Sequence, residues 1–305
     1  MKIVLIGKNG QLGRECRQVF GPNHDLVALG ARELDITDAV KVEEMVSRLQ
    51  PEVVVNCAAF TQVDLAERQR ELAYRLNALG PRHLAVSLNR HGGVLLQIST
   101  DYVFDGLKPV PEPYREDDQV APLSYYGQTK AAAERLVMGE MGRYIIVRTA
   151  WLYGQYGRNF LKTMLRLALS APERPLKVVR DQFGSLTWSH RLAQQLAKIV
   201  AAGGYGIYHA TAQGYGNWYE VASYFLRQMG LGTTVYSCTS DQYPTPARRP
   251  RNSILENQRL QAQGLDLMRP WRADLEEFIA RHGDCLLQEA LGQITPGEMP
   301  GQESN

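Results

Sequence analysis

Lys2-Ile3-Val4-Leu5-Ile6-Gly7-Lys8-Asn9-Gly10-Gln11-Leu12-Gly13 opens the chain, and the fold follows from how it is read. Ile3 to Ile6 is a short apolar run that Gly7 ends. Gln11 to Phe20 then has Leu12, Cys16, Val19 and Phe20 at helical spacing on one face. Strand, glycine turn and helix form the first unit, and the glycines fall in a G-x-x-G-x-x-G pattern between the two elements. Residues without side chains let a backbone approach a pyrophosphate closely, and a helix N-terminus offers oriented N–H groups and a partial positive charge. Gly7, Asn9, Gly10, Gln11, Leu12 and Gly13 are therefore candidates for holding a dinucleotide.

The same alternation continues outward. Leu26 to Leu29 reads as a second strand, and Asp38 caps a helix to about Leu49 that Pro51 stops. Val53-Val54-Val55 is apolar throughout, as in a strand buried on both faces of a parallel sheet. Helical sequence from about Leu65 to Arg90, interrupted near Gly80-Pro81, precedes a fourth strand at Val94 to Ile98. A long proline-containing loop leads to a helix from about Tyr126 to Gly139 and a fifth strand at Tyr144 to Ile146-Val147. The pattern predicts an α/β fold, a Rossmann-type doubly wound parallel sheet over residues 1–150. Beyond Trp151 the alternation weakens into amphipathic stretches, Phe160 to Ala171 and Leu192 to Ala202, with short strand candidates such as Ile207-Tyr208-His209-Ala210. That region, 151–283, reads as a smaller C-terminal α/β substrate lobe, with about 185–203 returning to the first domain. From about Asp284 to Asn305 the composition predicts a mobile tail.

The bulk properties narrow the function. A formal charge of +2 over 305 residues gives no whole-chain field to recruit nucleic acid or an anionic membrane. Cysteines at 16, 57, 238 and 285 make neither a C-x-x-C motif nor a disulfide framework. The histidines have no metal-ligand spacing. Met1-Lys2 runs straight into an apolar segment too short for a signal peptide, and no apolar stretch approaches ~18 residues. A cytoplasmic, soluble protein is expected.

After the second strand, where a dinucleotide fold meets the adenosine ribose, the chain offers Gly30-Ala31-Arg32. Arg32, with Lys8, leans toward the 2′-phosphate of NADP(H) and leaves NAD(H) open. Asp35-Ile36 lies where adenine would be edged, and Asn56-Cys57-Ala58-Ala59 closes the third strand with the small Ala58 and Ala59 where a cofactor must pass. Asn77 reads equally as a structural cap or as a neighbour of the site. Tyr126 and Lys130 stand at i and i+4 in Tyr125-Tyr126-Gly127-Gln128-Thr129-Lys130, which puts a phenol and an ammonium on one helix face. An ammonium beside a phenol lowers the phenol's pKa, so the pair reads as a tuned acid/base.

The glycine loop, Asn56-Cys57-Ala58-Ala59, Ser99-Thr100-Asp101-Tyr102-Val103-Phe104-Asp105-Gly106 and Tyr126-x-x-x-Lys130 together resemble the extended short-chain dehydrogenase/reductases. Asp181-Gln182-Phe183-Gly184 and Thr245-Pro246-Ala247-Arg248-Arg249-Pro250 narrow the resemblance to the dTDP-4-dehydrorhamnose reductase family, over nearly all of the chain from Met1 to about His282. The resemblance implies reduction by NAD(P)H of the C4 keto group of dTDP-4-dehydro-L-rhamnose to dTDP-L-rhamnose, for cell-surface polysaccharide. It implies that Thr100 holds the carbonyl oxygen, Tyr126 protonates it and Lys130 tunes the phenol and grips the nicotinamide ribose. Thr61, Val63, Tyr102 and Trp151 match positions near the sugar. Asn159, Phe160 and Gln182 are candidates around the nucleotide, while Arg248 and Arg249 are the fork-shaped partners of its diphosphate.

In some relatives magnesium bridges a dimer through carboxylates near Glu15, but Ser189-His190-Arg191 supplies no acid here, so no metal is expected and a homodimer would use another surface. Two rival readings stand beside this one. The same Thr/Tyr/Lys set serves reductases and epimerases of other nucleotide deoxysugars, and a non-catalytic NADP-binding regulatory subunit shares the fold.

Overall fold

A computed structural model describes residues 1–293. Five parallel strands, β1 (Lys2–Ile6), β2 (Asp25–Leu29), β3 (Val53–Asn56), β4 (Val94–Thr100) and β5 (Tyr144–Thr149), join a sixth, Gly206–His209, in one sheet. Across the sheet the order is β2, β1, β3, β4, β5 and then Gly206–His209. The chain reverses its direction of winding between β1 and β3, and the crevice that opens at such a switch point is where doubly wound sheets bind ligands.

Alternate strand residues feed two cores, as the two-residue period requires. Ile3, Leu5, Val53, Val55, Leu96, Ile145 and Val147 pack with helices α1 (Gln11–Phe20) and α8 (Ser189–Ala201). Val4, Ile6, Val54, Leu95 and Ile146 face α2 (Ala39–Leu49), α5 (Gly80–His91) and α6 (Tyr125–Glu140). A third core, in the second lobe, is built from α7 (Phe160–Ser170), α9 (Trp218–Gln228), α10 (Trp271–Gly292) and the parallel pair Leu176–Val179 and Val235–Cys238.

Three elements depart from the sequence reading. Ile207 to Ala210 does not belong to the small lobe. It closes the large sheet beside β5, because Tyr208 and Ala210 are buried against the α1/α8 face. Gly80-Pro81 does not interrupt a helix either. The chain turns from α3 (Val63–Ala66) through α4 (Arg70–Tyr74) into a π-helical turn, Arg75–Leu79, that runs directly into α5. A widened turn accommodates Pro81, which has no N–H to give and whose ring crowds the preceding turn. Gly80 is there for contact, since a Cβ on it would lie 2.6 Å from Ile36. Finally, the tail expected from Asp284 is helical as far as Gly292, because Leu286 and Ala290 continue the apolar face of Leu275 and Phe278 into the third core. The remainder of that expectation, 294–305, lies outside the described residues.

Candidate active site

The glycine loop is shaped by close contacts. Gly7 has φ of +85° and donates to Leu29 O at 2.9 Å, and a Cβ on it would meet Ala58 N at 2.8 Å. A Cβ on Gly13 would stand 2.1 Å from Gly7 O. Glycine is required at both positions, whereas Gly10 meets nothing nearer than 3.4 Å. Gly10 caps α1 without a side chain, so the first N–H groups of that helix face the crevice. A loop that excludes a Cβ at Gly7 and Gly13, beside an uncapped helix N-terminus, fits the diphosphate of a dinucleotide.

Around it, Asn9 is exposed, Leu12 is buried in the core, and Gln11 Oε1 accepts from Asn159 Nδ2 at 3.0 Å. Ala58 N donates to Asn56 Oδ1 at 3.1 Å, and Ala59 follows at the crevice. Arg32 is exposed, whereas Lys8 is paired with Glu33 at 2.5 Å, and Glu33 also accepts from Gly30 N at 2.8 Å. Of the two cations expected for a 2′-phosphate, only Arg32 is therefore unengaged, and Glu33 is an acid beside that turn that the sequence reading missed. Ile36 points into the core, and the exposed Asp35 accepts from Thr37 N at 2.9 Å.

Tyr126 stands at the second position of α6, whose start is set locally. Ser124 caps the helix by accepting from Gly127 N at 3.2 Å. Gly127 lets α6 approach the turn after β4, since a Cβ there would lie 2.2 Å from Tyr102 O. That approach brings the Tyr126 ring edge-on to Tyr102, with centroids 5.8 Å apart, on the side of the Thr100 hydroxyl. Thr100 Oγ1 in turn donates to Asp101 Oδ1 at 2.9 Å and accepts from Tyr102 N at 3.2 Å.

Lys130 is buried and donates from Nζ to Ile98 O at 2.6 Å. Burial lowers its pKa to about 8, with the Glu134 carboxylate one turn along working in the opposite direction. The expected tuning of the phenol by this ammonium is not what the free protein does. Burial pushes the Tyr126 phenol well above its ordinary value, the Thr100 hydroxyl opposes, and Asp101 pushes the same way as burial. A shared helix face brought the two side chains near, but the strand carbonyl of Ile98 captured the ammonium.

Beneath the site lies a charged network that the sequence reading passed over. Glu134 accepts from Ser99 Oγ at 2.5 Å, from Arg148 Nε at 3.0 Å and from Arg148 Nη2 at 2.8 Å. Arg148 also donates to Glu116 O at 3.2 Å and faces His209 Nε2 at 3.4 Å. His209 Nδ1 faces Glu256 O at 3.1 Å, which assigns the proton to Nδ1, and burial with Arg148 lowers its pKa to about 3. The Lys130/Glu134 spacing of four, inside an alanine-rich run, was the available signal. Asn77 sits in the π turn, where its amide accepts from Phe60 N at 2.7 Å and donates to Phe60 O and Thr129 Oγ1, each at 3.0 Å. It fastens the loop after β3 to α6.

On the lobe side, a cavity of about 710 Å³ is lined by Arg180, Gln182, Phe183, Ser240, Arg249 and Arg251 among others. Gln182 Nε2 donates to Ser240 Oγ at 3.0 Å. The expected pairing of Arg248 with Arg249 is not formed. Arg248 is exposed and does not line this cavity, while Arg249 is forked against Asp64, with Nη2 to Oδ2 at 2.7 Å and Nη1 to Oδ1 at 3.2 Å. Ala247 N adds a third bond to Asp64 at 3.0 Å.

Val63 opens the short helix that carries Asp64, and Thr61 is exposed just before it. Trp151 adopts a φ of +49°, unusual for a bulky residue, and its indole stacks on Trp218 at 3.6 Å. Phe160 packs on the same Trp218 at 4.4 Å. The Asn159 side chain is spent on structure. It caps α7 through Lys162 N at 3.1 Å and donates to Gly154 O at 2.9 Å. Where the sequence lacks a second acid near Glu15, His190 Nδ1 stands 3.1 Å from Glu15 Oε2. Among the described residues no group of three or more His, Cys, Asp and Glu side chains is arranged to hold a metal ion, and no helix is long and apolar enough to cross a membrane.

A doubly wound sheet with a glycine-lined crevice at its switch point, and Thr, Tyr and Lys gathered at one cleft, defines the class of Rossmann-fold short-chain dehydrogenase/reductases. Residues 1–283 match the family described as RmlD substrate binding domain, and the chain belongs to it. It is 45% identical to a dTDP-4-dehydrorhamnose reductase of Streptomyces griseus, covering 90% of this chain and 91% of that one. A crystal structure of a dTDP-4-dehydrorhamnose reductase from Clostridium acetobutylicum superimposes with a TM-score of 0.88 at 42% identity, over 92% of this chain and 99% of the other. The enzyme of that name from Bacillus anthracis, solved in complex with NADP, gives a TM-score of 0.88 at 37% identity, over 92% and 100%.

Proposed function

We propose that this protein reduces the C4 keto group of dTDP-4-dehydro-L-rhamnose to give dTDP-L-rhamnose, using NADPH or NADH, in the cytoplasm. What supports the reading is Thr100 at the end of β4 with Tyr126 and Lys130 in the first turns of α6, in a chain that also carries the glycine crevice and the arginine-lined cavity. Gly7, Gly10, Gly13 and the N-terminus of α1 would hold the cofactor diphosphate, with Ala58 and Ala59 along its path and Arg32 at the adenosine end. Bound there, the nicotinamide supplies the hydride.

The chain's own residues do the rest. Reduction needs a proton donor at neutral pH, and a phenol whose pKa is raised by burial stays protonated until it is used. Tyr126 gives that proton to the carbonyl oxygen and Thr100 supplies a hydrogen bond to it. An ammonium has three donors and Ile98 O takes one from Lys130, which leaves others for a ribose hydroxyl. Gln182, Arg249 and Arg251 receive the nucleotide diphosphate, with Tyr102, Val63 and Trp151 around the sugar. Asp64 holds the Arg249 fork in place for that contact.

The test is a spectrophotometric assay of purified protein with several dTDP-4-keto sugars and both cofactors. NADPH or NADH is consumed with the dTDP-4-keto-L-sugar, and Tyr126→Phe loses most of the turnover with cofactor affinity intact. Cofactor binding without turnover on any of these sugars would replace this reading with the regulatory one.

A further inference from the structure

Cys16 and Cys57 are 41 residues apart in the chain, yet their sulfurs lie 4.0 Å from each other behind the glycine crevice. Cys16, on α1, is fully buried, while Cys57, the residue after β3, is only half-buried. Two thiols in contact can be plain core packing, and for Cys16 alone that account would suffice. Cys57 differs, because part of it stays open to solvent and the Lys130 ammonium is near enough to respond to a charge on its sulfur. A partly exposed thiol beside a cation, with a second thiol in contact, is the setting of a peroxide-reactive cysteine and its resolving partner. The order of reaction follows from the surroundings. Contact with Cys57 and burial keep the Cys16 thiol protonated, and the Glu15 carboxylate acts the same way, so Cys57 is the sulfur that reacts first.

Both thiols are tied to the walls of the crevice. Cys57 N donates to Ile6 O at 2.9 Å, and the next residue, Ala58, forms the wall that a Cβ on Gly7 would strike. Cys16 follows Gly13 by one turn of α1, and Gly13 already touches Gly7 O so closely that no Cβ fits. A bond between the sulfurs requires them to close from 4.0 Å to about 2 Å. Drawing α1 toward the end of β3 displaces Gly13 or Ala58 in a loop with no slack at either.

We propose that Cys57 and Cys16 are a site of reversible oxidation by hydrogen peroxide, and that the disulfide they form shuts the cofactor crevice. It rests on that crevice being the cofactor site. The steps balance. Cys57 loses its proton to water and its sulfur attacks the peroxide, so that an S–O bond forms, the O–O bond breaks and the departing hydroxide is protonated to water. Cys16 then attacks the Cys57 sulfur. The S–S bond forms, the S–O bond breaks, and the second hydroxide leaves as water with the Cys16 proton. Two thiols and one peroxide give one disulfide and two waters, each sulfur being oxidised by one electron overall.

The test uses the full chain carrying Cys285→Ser, which removes the exposed thiol of α10. After treatment with hydrogen peroxide and alkylation of the remaining thiols, peptide mass spectrometry finds residues 16 and 57 cross-linked. NADPH binding, measured by calorimetry, weakens about tenfold or more, and dithiothreitol restores it. Saturating NADPH slows the oxidation, because the bound cofactor runs past Ala58 and covers its neighbour. Cys16→Ala stops at a Cys57 sulfenic acid that dimedone traps, and in Cys57→Ser peroxide leaves NADPH affinity unchanged. The absence of a 16–57 cross-link in the parent protein, oxidised protein that binds NADPH as tightly as reduced protein, or a loss of affinity that persists in Cys57→Ser would overturn the proposal. Reduced protein that binds neither NADPH nor NADH would instead remove the reading of the crevice, whatever the thiols do.

Discussion

The ion pair under the site gives the sharpest physical prediction. Glu134 and Arg148 have side chains only 3% exposed, and their two bonds at 2.8 and 3.0 Å make a fork in a medium that screens them poorly. Replacing Glu134 by Leu leaves a guanidinium without its counter-charge and takes the acceptor from Ser99. Replacing Arg148 by Met leaves the carboxylate without its cation. Breaking a buried pair from one side costs about 3–5 kcal/mol, because the surviving charge stays desolvated. Two independent losses would sum to roughly 6–10 kcal/mol. The double variant keeps neither charge of the pair and leaves Ser99, Glu116 O and His209 short of partners; Lys130 lacks the Glu134 carboxylate there just as it does in Glu134→Leu, so the double is no less stable than that single variant. Guanidinium unfolding, followed by tryptophan fluorescence and far-UV circular dichroism, measures all four proteins. Arg82→Ala is the control, since the Arg82–Glu140 pair is 45% and 29% exposed and is worth at most about 1 kcal/mol. Single variants within about 1 kcal/mol of wild type, or an additive double, would refute the reasoning.

Three further outcomes follow from particular contacts. Gly13→Ala drives a Cβ to 2.1 Å from Gly7 O and weakens NADPH binding about tenfold or more by calorimetry, whereas Gly10→Ala changes it little; equal effects would count against the loop geometry. Asp64→Asn loosens the Arg249 fork and raises KM for the sugar nucleotide about tenfold with a smaller change in kcat, and an unchanged KM would show that Arg249 needs no anchor. Lys130 has its pKa lowered by burial from 10.5 to about 8, so between those values the unfolded chain holds a proton that the folded one has lost. Stability therefore rises with pH across that window, and the excess of wild type over Lys130→Met in this slope, read from denaturation midpoints, should be positive.

Some of this was legible without coordinates. Ile3 to Gly13, the valines of β3 and the cap at Asp38 each carry a local signal, and each lies in the element it predicted. The C-terminal helix was hidden because its last turns mix Leu286 and Ala290 with polar neighbours, and only the third core shows what they face. The Gly80-Pro81 break was misread because breaker residues report propensity, while contact with Ile36 and the π turn decided the outcome. Arg248 and Arg249 looked equivalent in sequence. A carboxylate 185 residues away in the chain chose between them.

The sequence by itself determined five strands of the sheet, their two-sided burial, the glycine loop and the residue types gathered for reduction, because these depend on period, glycine and spacing within single elements. Only the tertiary structure decided which donor meets which acceptor. It sent the Lys130 ammonium to Ile98 O, the Arg249 fork to Asp64 and the Thr100 proton to Asp101. The first two choices depend on distance and burial between segments 32 and 185 residues apart in the chain, the third on how the turn after β4 is packed, and desolvation is a property of the packed molecule.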